Sequence, residues 1–344
     1  LMKWTLTLAA TLSLFSPAIA LAQETPPDPF VCSEVPEPVV SLDHGSRYVA
    51  GDDSRSEFDA ASNLDVDMQL KPVDMFITDL ALAANRAISS PEDQPAAASC
   101  VLSGLVVWAK ADALSELATM NAQLSAPSRI AGLAFAYAQV QPFLNLPADQ
   151  ALVEAWLAAR ATATMDYFDA DAPKNASRNN LRAWAGLAVG RIGLTLKDTA
   201  MVDWADASVR LVACQAEIDG SLPLEMARKD LALHYQLHAI TPLVVMAALL
   251  QDSGRDLFSA CDGAIHRAVD FALAALKDPN MIRMLTGHAQ SYFNGTEELR
   301  GFELAWAEAY LSYFPSSKLE DFISTFKPLA NSKIGGRQSL LWAR

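Results

Sequence analysis

No stretch of this sequence alternates apolar and polar residues as a half-buried strand would, which leaves helices to carry the fold. CxxC pairs are missing. The four cysteines, Cys32, Cys100, Cys214 and Cys261, fall at spacings that suit no metal motif. Basic residues are scarce: 26 Lys and Arg stand against 40 Asp and Glu, a formal net charge of −14. So acidic a chain argues against nucleic acid as a partner, because phosphate binding needs a basic surface. Beyond the first two dozen residues no segment reads as apolar enough to span a bilayer, which takes roughly 20 apolar residues. No sharp internal repeat is visible, and no linker divides the helical part of the chain.

What is present begins with Lys3, an apolar run from Trp4 to Phe15, a break at Ser16 and Pro17, and the small residues Ala18-Ile19-Ala20-Leu21-Ala22. A basic head, a short apolar stretch and an A-x-A-like end predict a secretory signal over residues 1–22, cleaved near Ala20 to Ala22, and a periplasmic or secreted protein. In an oxidising compartment an even cysteine count suggests disulfides. Cys32 sits in an irregular segment with five prolines (Pro26, Pro27, Pro29, Pro36, Pro38), which a disulfide would tie down. Cys214 and Cys261 either pair or stay as buried thiols.

Residues 23–69 read as an extended lead-in followed by a polar surface loop, residues 41–67, rich in Asp, Ser and Arg. From about residue 70 to 344, Ala- and Leu-rich stretches of 3.6-type periodicity alternate with short breaks. They predict helices near 71–90, 95–117, 127–141, 147–168, 178–196, 200–215, 224–251, 255–277, 300–314 and 318–327. Short breaks make neighbouring helices antiparallel, so the expected architecture is all-α, a single domain of stacked helical hairpins.

Two segments carry candidate chemistry. Lys174-Asn175-Ala176-Ser177-Arg178-Asn179-Asn180-Leu181-Arg182-Ala183-Trp184 is a polar, basic stretch running into an apolar helix, where adjacent asparagines also suit caps. Asp219-Gly220-Ser221-Leu222-Pro223 is a turn feeding a helix start, followed by Glu225, Arg228, Lys229, His234, Tyr235 and His238. Seven residues separate Arg228 from Tyr235. On a continuous helix they share a face, roughly 10 Å apart along the axis, too far for an intimate pair.

In this order, Asn-Asn-x-x-x-Trp, Asp-Gly-x-Leu-Pro-x-Glu-x-x-Arg and Ala-Leu-x-Tyr resemble the mannuronate-specific alginate lyases, polysaccharide lyase family five. Ser46-Arg47-Tyr48 with Asp53-Ser54 is similar to that family's lid segment. Ser99-Cys100 with Trp108-Ala109-Lys110 is similar to its Cys-plus-Trp helix, and Ala305-Trp306-Ala307-Glu308-Ala309-Tyr310 to a C-terminal motif. The resemblance implies an incomplete α/α toroid with a deep cleft, a Cys32–Cys100 disulfide, and metal-free β-elimination on a 4-linked uronate polymer. It implies that Tyr235 serves as base and acid, that Arg228 stabilises charge, and that Asn180 donates to the substrate carboxylate. A cation beside a phenol favours its ionised form, as that role requires. Asn179, Trp184, Arg182, Lys229, His238 and Tyr48 would then line the substrate.

The chain departs from that family where it places a catalytic histidine after the second Asn: here stands Leu181, and Ala183 replaces the next aromatic. Three expectations follow: altered substrate choice without the histidine, replacement by His238, or a non-catalytic polysaccharide-binding or export accessory protein. The remaining histidines, His234 and His44 among them, read as structural or unassigned. The implied partner is an acidic polysaccharide, alginate or a glucuronate polymer, with exopolysaccharide export machinery as a further one. A polyanion would be drawn to so acidic a protein only by a local basic patch, for which Lys174, Arg178, Arg182, Arg228 and Lys229 are the candidates. A hydrolase using Asp219 and Glu225 is the remaining alternative.

Overall fold

A computed structural model describes residues 30–343; the expected signal and its cleavage site lie outside them. The helices are α1 (Ala60–Ser89), α2 (Gln94–Lys110), α3 (Met120–Val140), α4 (Pro147–Ala170), α5 (Asn180–Leu196), α6 (Thr199–Ala213), α7 (Pro223–Met226), α8 (Ala232–Gln251), α9 (Ala260–Lys277), α10 (Pro279–Thr286), α11 (Trp306–Leu311), α12 (Ser317–Ile323) and α13 (Gln338–Leu341). Sequence signals set their ends. Asp59, Thr119, Asp198 and Ser316 cap α1, α3, α6 and α12 by accepting from a backbone N–H three residues on, and Pro147 and Pro223 open α4 and α7.

The all-α architecture is as expected. Along the inner layer α1 packs on α3, α3 on α5, α5 on α8 and α8 on α11, while α2, α4, α6 and α9 back them. Close approach is built in: a Cβ at Gly190 of α5 would lie 2.5 Å from the Met246 sulfur and 2.8 Å from Ala205 Cβ, so a glycine lets α5 seat against α6 and α8. The ring does not close on helices alone. The hairpin of β3 (Ala330–Asn331) and β4 (Gly336–Arg337), with α13, fills the gap between α1 and α11. The other strands, β1 (Ser41–Leu42) and β2 (Glu116–Leu117), form a short parallel pair that holds the lead-in against the start of α3.

Three differences from the sequence expectations matter, and the disulfides are the expected pairing and the one that the sequence leaves open. Helix α1 begins at Ala60, so the polar loop is shorter than 41–67. The stretch expected to be one helix over 224–251 is broken: Arg228 and Lys229 leave helical geometry, Lys229 with φ +50°, before α8 starts. Residues 229–251 are long and apolar enough to cross a membrane, contrary to the reading above, yet 78% of that window is buried as the central helix of the protein core. Both disulfides form, Cys32–Cys100 tying the lead-in to α2 and Cys214–Cys261 tying the end of α6 to the start of α9.

Candidate active site

The turn before α7 is fixed by its own residues. Asp219 Oδ1 accepts from the Ser221 N–H at 2.9 Å, and Gly220 takes φ +92° where a Cβ would strike the Arg267 carbonyl at 2.0 Å. Gln236, fully buried on α8, accepts from the Leu222 N–H and donates to the Gly220 carbonyl, locking turn to helix. The chain is thereby bent so that Arg228 folds back onto α8. Its guanidinium carbon lies 3.5 Å from the centre of the Tyr235 ring. This corrects the expected 10 Å separation: the left-handed Lys229 removes the axial spacing that a continuous helix would impose.

The loop at residues 46–59 closes over this pair. Tyr48 OH is hydrogen-bonded to Tyr235 OH, and Arg228 Nη2 donates to Tyr48 OH at 3.0 Å. Arg228 Nε and Nη2 also donate to the Arg55 carbonyl, at 3.1 and 2.6 Å. The loop keeps its shape through Asp52, which accepts from the backbone N–H of Ser54, Ser56 and Glu57; the Ser54 hydroxyl and these bonds hold its carboxyl below the usual range. Burial and then the charge of Tyr235 push the Tyr48 phenol up, opposed by Arg228. Burial works against the Arg228 cation, but Tyr235, Tyr48 and Glu225 outweigh it and raise its pKa. A cavity of about 960 Å³ lies beneath the loop, lined by Tyr48, Arg55, Lys174, Asn179, Leu181 and Arg228 among others.

The paired asparagines divide their work. Asn179 caps α5, accepting from the Leu181 N–H at 3.0 Å, and faces the cavity. Asn180 is 1% exposed and donates from its backbone N–H and Nδ2 to the two oxygens of Glu225, at 2.8 and 2.9 Å. Burial raises the Glu225 carboxyl to about 7, against the pull of those two bonds. The structure therefore joins Asn180 to Glu225 rather than presenting it to the cavity, and its buried Oδ1 has no partner among the described residues.

Across Tyr235 lies a second cavity of about 710 Å³, lined by Trp184, His234, His238, Thr241, Glu303 and Lys333 among others. The His234 and Tyr235 rings are 4.9 Å apart, centre to centre. His234 Nδ1 is 2.7 Å from Glu297 Oε1, 3.3 Å from Tyr292 OH and 3.7 Å from Glu303 Oε1. Tyr292 donates to Glu303, and Ser291 Oγ donates to Glu297 Oε2 at 2.7 Å. Burial pushes Glu297 up, but the hydrogen bond and charge of His234 leave its carboxyl below the usual range; Glu303 stays raised by burial. One atom each of His234, Glu297 and Glu303 lie within 4.8 Å of one another, a donor set that could hold a metal ion. His238, one turn on, packs against Trp184 at 5.3 Å, and the Trp184 indole donates to its carbonyl at 3.1 Å. Burial and the charge of His234 hold its pKa well below the ordinary value. Burial lowers Lys333 to about 8.

Of the residues expected from sequence, Tyr235, Arg228 and Tyr48 come together, with Asn179 and Leu181 beside them and Trp184 and His238 on the far side. Arg182 does not join them. It is buried, donating to Ser208 Oγ at 2.8 Å and Asp169 Oδ1 at 2.9 Å, and stacks on Trp204 at 4.2 Å. Its position in the first turn of α5 points it at α6, away from the basic patch expected of it. Lys229 is exposed, with Nζ 3.8 Å from Asp52, so it steadies the loop. Asp219 and Glu225 do not form a carboxylate pair: one caps a turn, and the other is bound to Asn180. Sequence reasoning passed over His234, Glu297 and Glu303. Adjacency to Tyr235 marked His234, but no sequence signal joins it to glutamates 63 and 69 residues away.

A family profile described as alginate lyase matches residues 92–282. A polysaccharide lyase of Stenotrophomonas maltophilia is 32% identical over 274 residues, 78% of each chain. An alginate lyase of Pseudomonas syringae pv. tomato is 28% identical over 89% of this chain and 82% of its own. Alginate lyase A1-III from Sphingomonas species A1 superposes with a TM-score of 0.73 at 24% identity, and a tetrasaccharide complex of alginate lyase A1-III with 0.78 at 24%, both over 91% of this chain and 86% of theirs. The shared fold is an α/α toroid.

Proposed function

We propose, from the premise that this chain belongs to the alginate lyase family, that it cleaves a 4-linked uronate polymer by β-elimination at Tyr235. The observation that carries the reading is the Arg228 guanidinium stacked 3.5 Å from the Tyr235 ring, with Arg228 lining one cavity and His234, next to Tyr235 on α8, lining the other. As phenolate, Tyr235 takes the C5 proton of the uronate; the C5–H electrons form the C4=C5 double bond, the C4–O4 bond breaks, and the departing O4 takes the proton back from Tyr235. Arg228 places fixed positive charge where the phenolate forms. Tyr48 must leave Tyr235 for the sugar to enter, so the loop at 46–59 opens and recloses in each cycle. Asn180 acts through Glu225, holding the start of α5 against α7, rather than as a donor to the substrate.

The apolar Leu181 in the loop-side cavity supports a polymer other than, or in addition to, poly-mannuronate, such as a glucuronate polymer. Two disulfides and the family fit a periplasmic or extracellular protein, and we assign export on that ground. The same Leu181 is the observation behind a second reading, a polysaccharide-binding protein without turnover. Incubation with poly-mannuronate, poly-glucuronate and acidic exopolysaccharides decides between them. The lyase yields unsaturated uronate ends that absorb in the near ultraviolet, and Tyr235→Phe removes that signal. Tyr235→Phe cleaving as well as the parent overturns the mechanism; affinity without product on every polymer favours the second reading.

A further inference from the structure

Leucine at position 181 leaves the loop-side cavity with three cations, Arg55, Lys174 and Arg228, but no imidazole among the described residues. The C5 proton of a uronate becomes acidic only when its carboxylate is neutralised, because the charge left by that proton spreads onto it. Some group near Tyr235 must supply this. Asn180 is engaged with Glu225, Lys229 faces Asp52, and Arg182 is bound to Asp169.

We propose that His234 fills this role: its ring, held at Nδ1 by Glu297, donates through Nε2–H to the substrate carboxylate from the second cavity. The proposal rests on the lyase reading above and names the group that reading lacks. Three features carry it. His234 directly precedes Tyr235 on α8, and its ring lies 4.9 Å from the phenol ring, nearer than His238 at 6.2 Å. Both hydrogen bonds of the imidazole fall on Nδ1, so Nε2 carries none among the described residues, while the side chain is 29% exposed and lines the cavity. Two carboxylates converge on Nδ1, at 2.7 and 3.7 Å, and a carboxylate on one ring nitrogen fixes the orientation of the other.

The groups facing His234 are Tyr235 and His238 from α8, and Tyr292, Glu297, Arg300 and Glu303 from the segment before α11; Lys333 and Asp74 lie in the same cavity. A polymer laid across Tyr235 thus meets Arg228 on one side and His234 on the other, with a carboxylate on each successive uronate to meet them. The shift of the imidazole from α5, where the family keeps it, to α8 moves the neutralising charge toward the C-terminal hairpin. Substrate choice then depends on the wall of the second cavity.

The experiment compares the full-length protein with His234→Ala, His234→Gln, Leu181→His and the double variant His234→Gln/Leu181→His, on the uronate polymer the parent cleaves best. Removing one positioned charge-stabilising donor costs about 10²-fold in turnover. His234→Ala and His234→Gln should each lose kcat on that scale with KM changed far less. The double variant should recover part of the loss. Melting temperatures within a few degrees of the parent, read by circular dichroism, exclude misfolding; if His234→Ala fails this, His234→Gln alone decides. Parent turnover with an unchanged kcat in His234→Gln overturns the role of His234 and leaves the lyase reading standing. No parent turnover on any uronate polymer overturns both.

Discussion

The two sides of Tyr235 are built by different means. On the loop side, backbone does much of the work: the Arg55 carbonyl receives Arg228, Asp52 gathers three backbone N–H groups, and the wall includes Leu181 and Leu224. On the far side the contacts pass between side chains, His234 to Glu297 and Tyr292 to Glu303, and the histidines are there. The difference teaches that, on the role proposed for His234, the charge required around one phenol is supplied from the side opposite Leu181. The helix that bears the phenol stays where it is.

Changes that strike the shared centre should cost most. Tyr235→Phe is expected to lose ~10³-fold or more of kcat, at or above the middle of the range for proton-transfer groups, measured by ultraviolet absorbance of product. Arg228→Lys should cost about 10²-fold on the same assay, since an ammonium keeps the charge but lacks the flat face that lies on the Tyr235 ring; parent-like turnover would show that charge alone suffices. A smaller effect, confined to the loop side, is expected for Tyr48→Phe. It deletes the hydroxyl bound by Arg228 and Tyr235, and one hydrogen bond corresponds to about a two- to tenfold change, visible in KM and in faster loop opening by stopped-flow fluorescence. Glu225→Gln tests the support beneath that side. The folded-state pKa of Glu225 is raised to about 7 from an ordinary 4.5. The stability linked to this group is therefore fully present below about pH 4.5, lost progressively toward pH 7, and flat above it. Glu225→Gln should flatten the melting temperature over that window while leaving kcat within a few-fold. The smallest expected effect belongs to the far side: dialysis against EDTA should leave activity unchanged, and loss restored by zinc would turn His234, Glu297 and Glu303 into metal ligands.

Most helices were legible because their apolar period and caps agree. Helix α1 shows where that fails. Leu64, Met68, Met75 and Leu82 are 54–65% exposed while Val66 and Leu70 are buried, so the apolar residues around 60–70 are split between core and solvent and give no clean helical period. The cap Asp59 with Ser62 was in plain sight but preceded a polar stretch that reads as loop. At the site, the ordered motifs located Tyr235, Arg228 and Tyr48. What they could not convey was conformation: Lys229 is neither glycine nor proline, and nothing in its type announces φ +50°. Arg182 was misplaced for a related reason. Its charge suggested a cleft, whereas the side chain reaches under α6 to Asp169 and Trp204. The His234 cluster depends on contacts across some sixty residues of chain, which no local pattern records.

The hairpin of β3 and β4 has a consequence for when the protein becomes competent. Asn331, Lys333, Gly336 and Arg337 line the second cavity, and Asn85 of α1 donates to the Gly335 carbonyl at 2.9 Å and accepts from the Arg337 N–H at 2.7 Å. Residues about a hundred positions after Tyr235 thus complete the wall beside it and stitch it to the first helix. A chain emerging from synthesis from its N-terminus has the phenol, the guanidinium and the loop long before it has that wall. The second cavity is finished only when this hairpin docks, so its wall is absent until nearly the whole chain has been made.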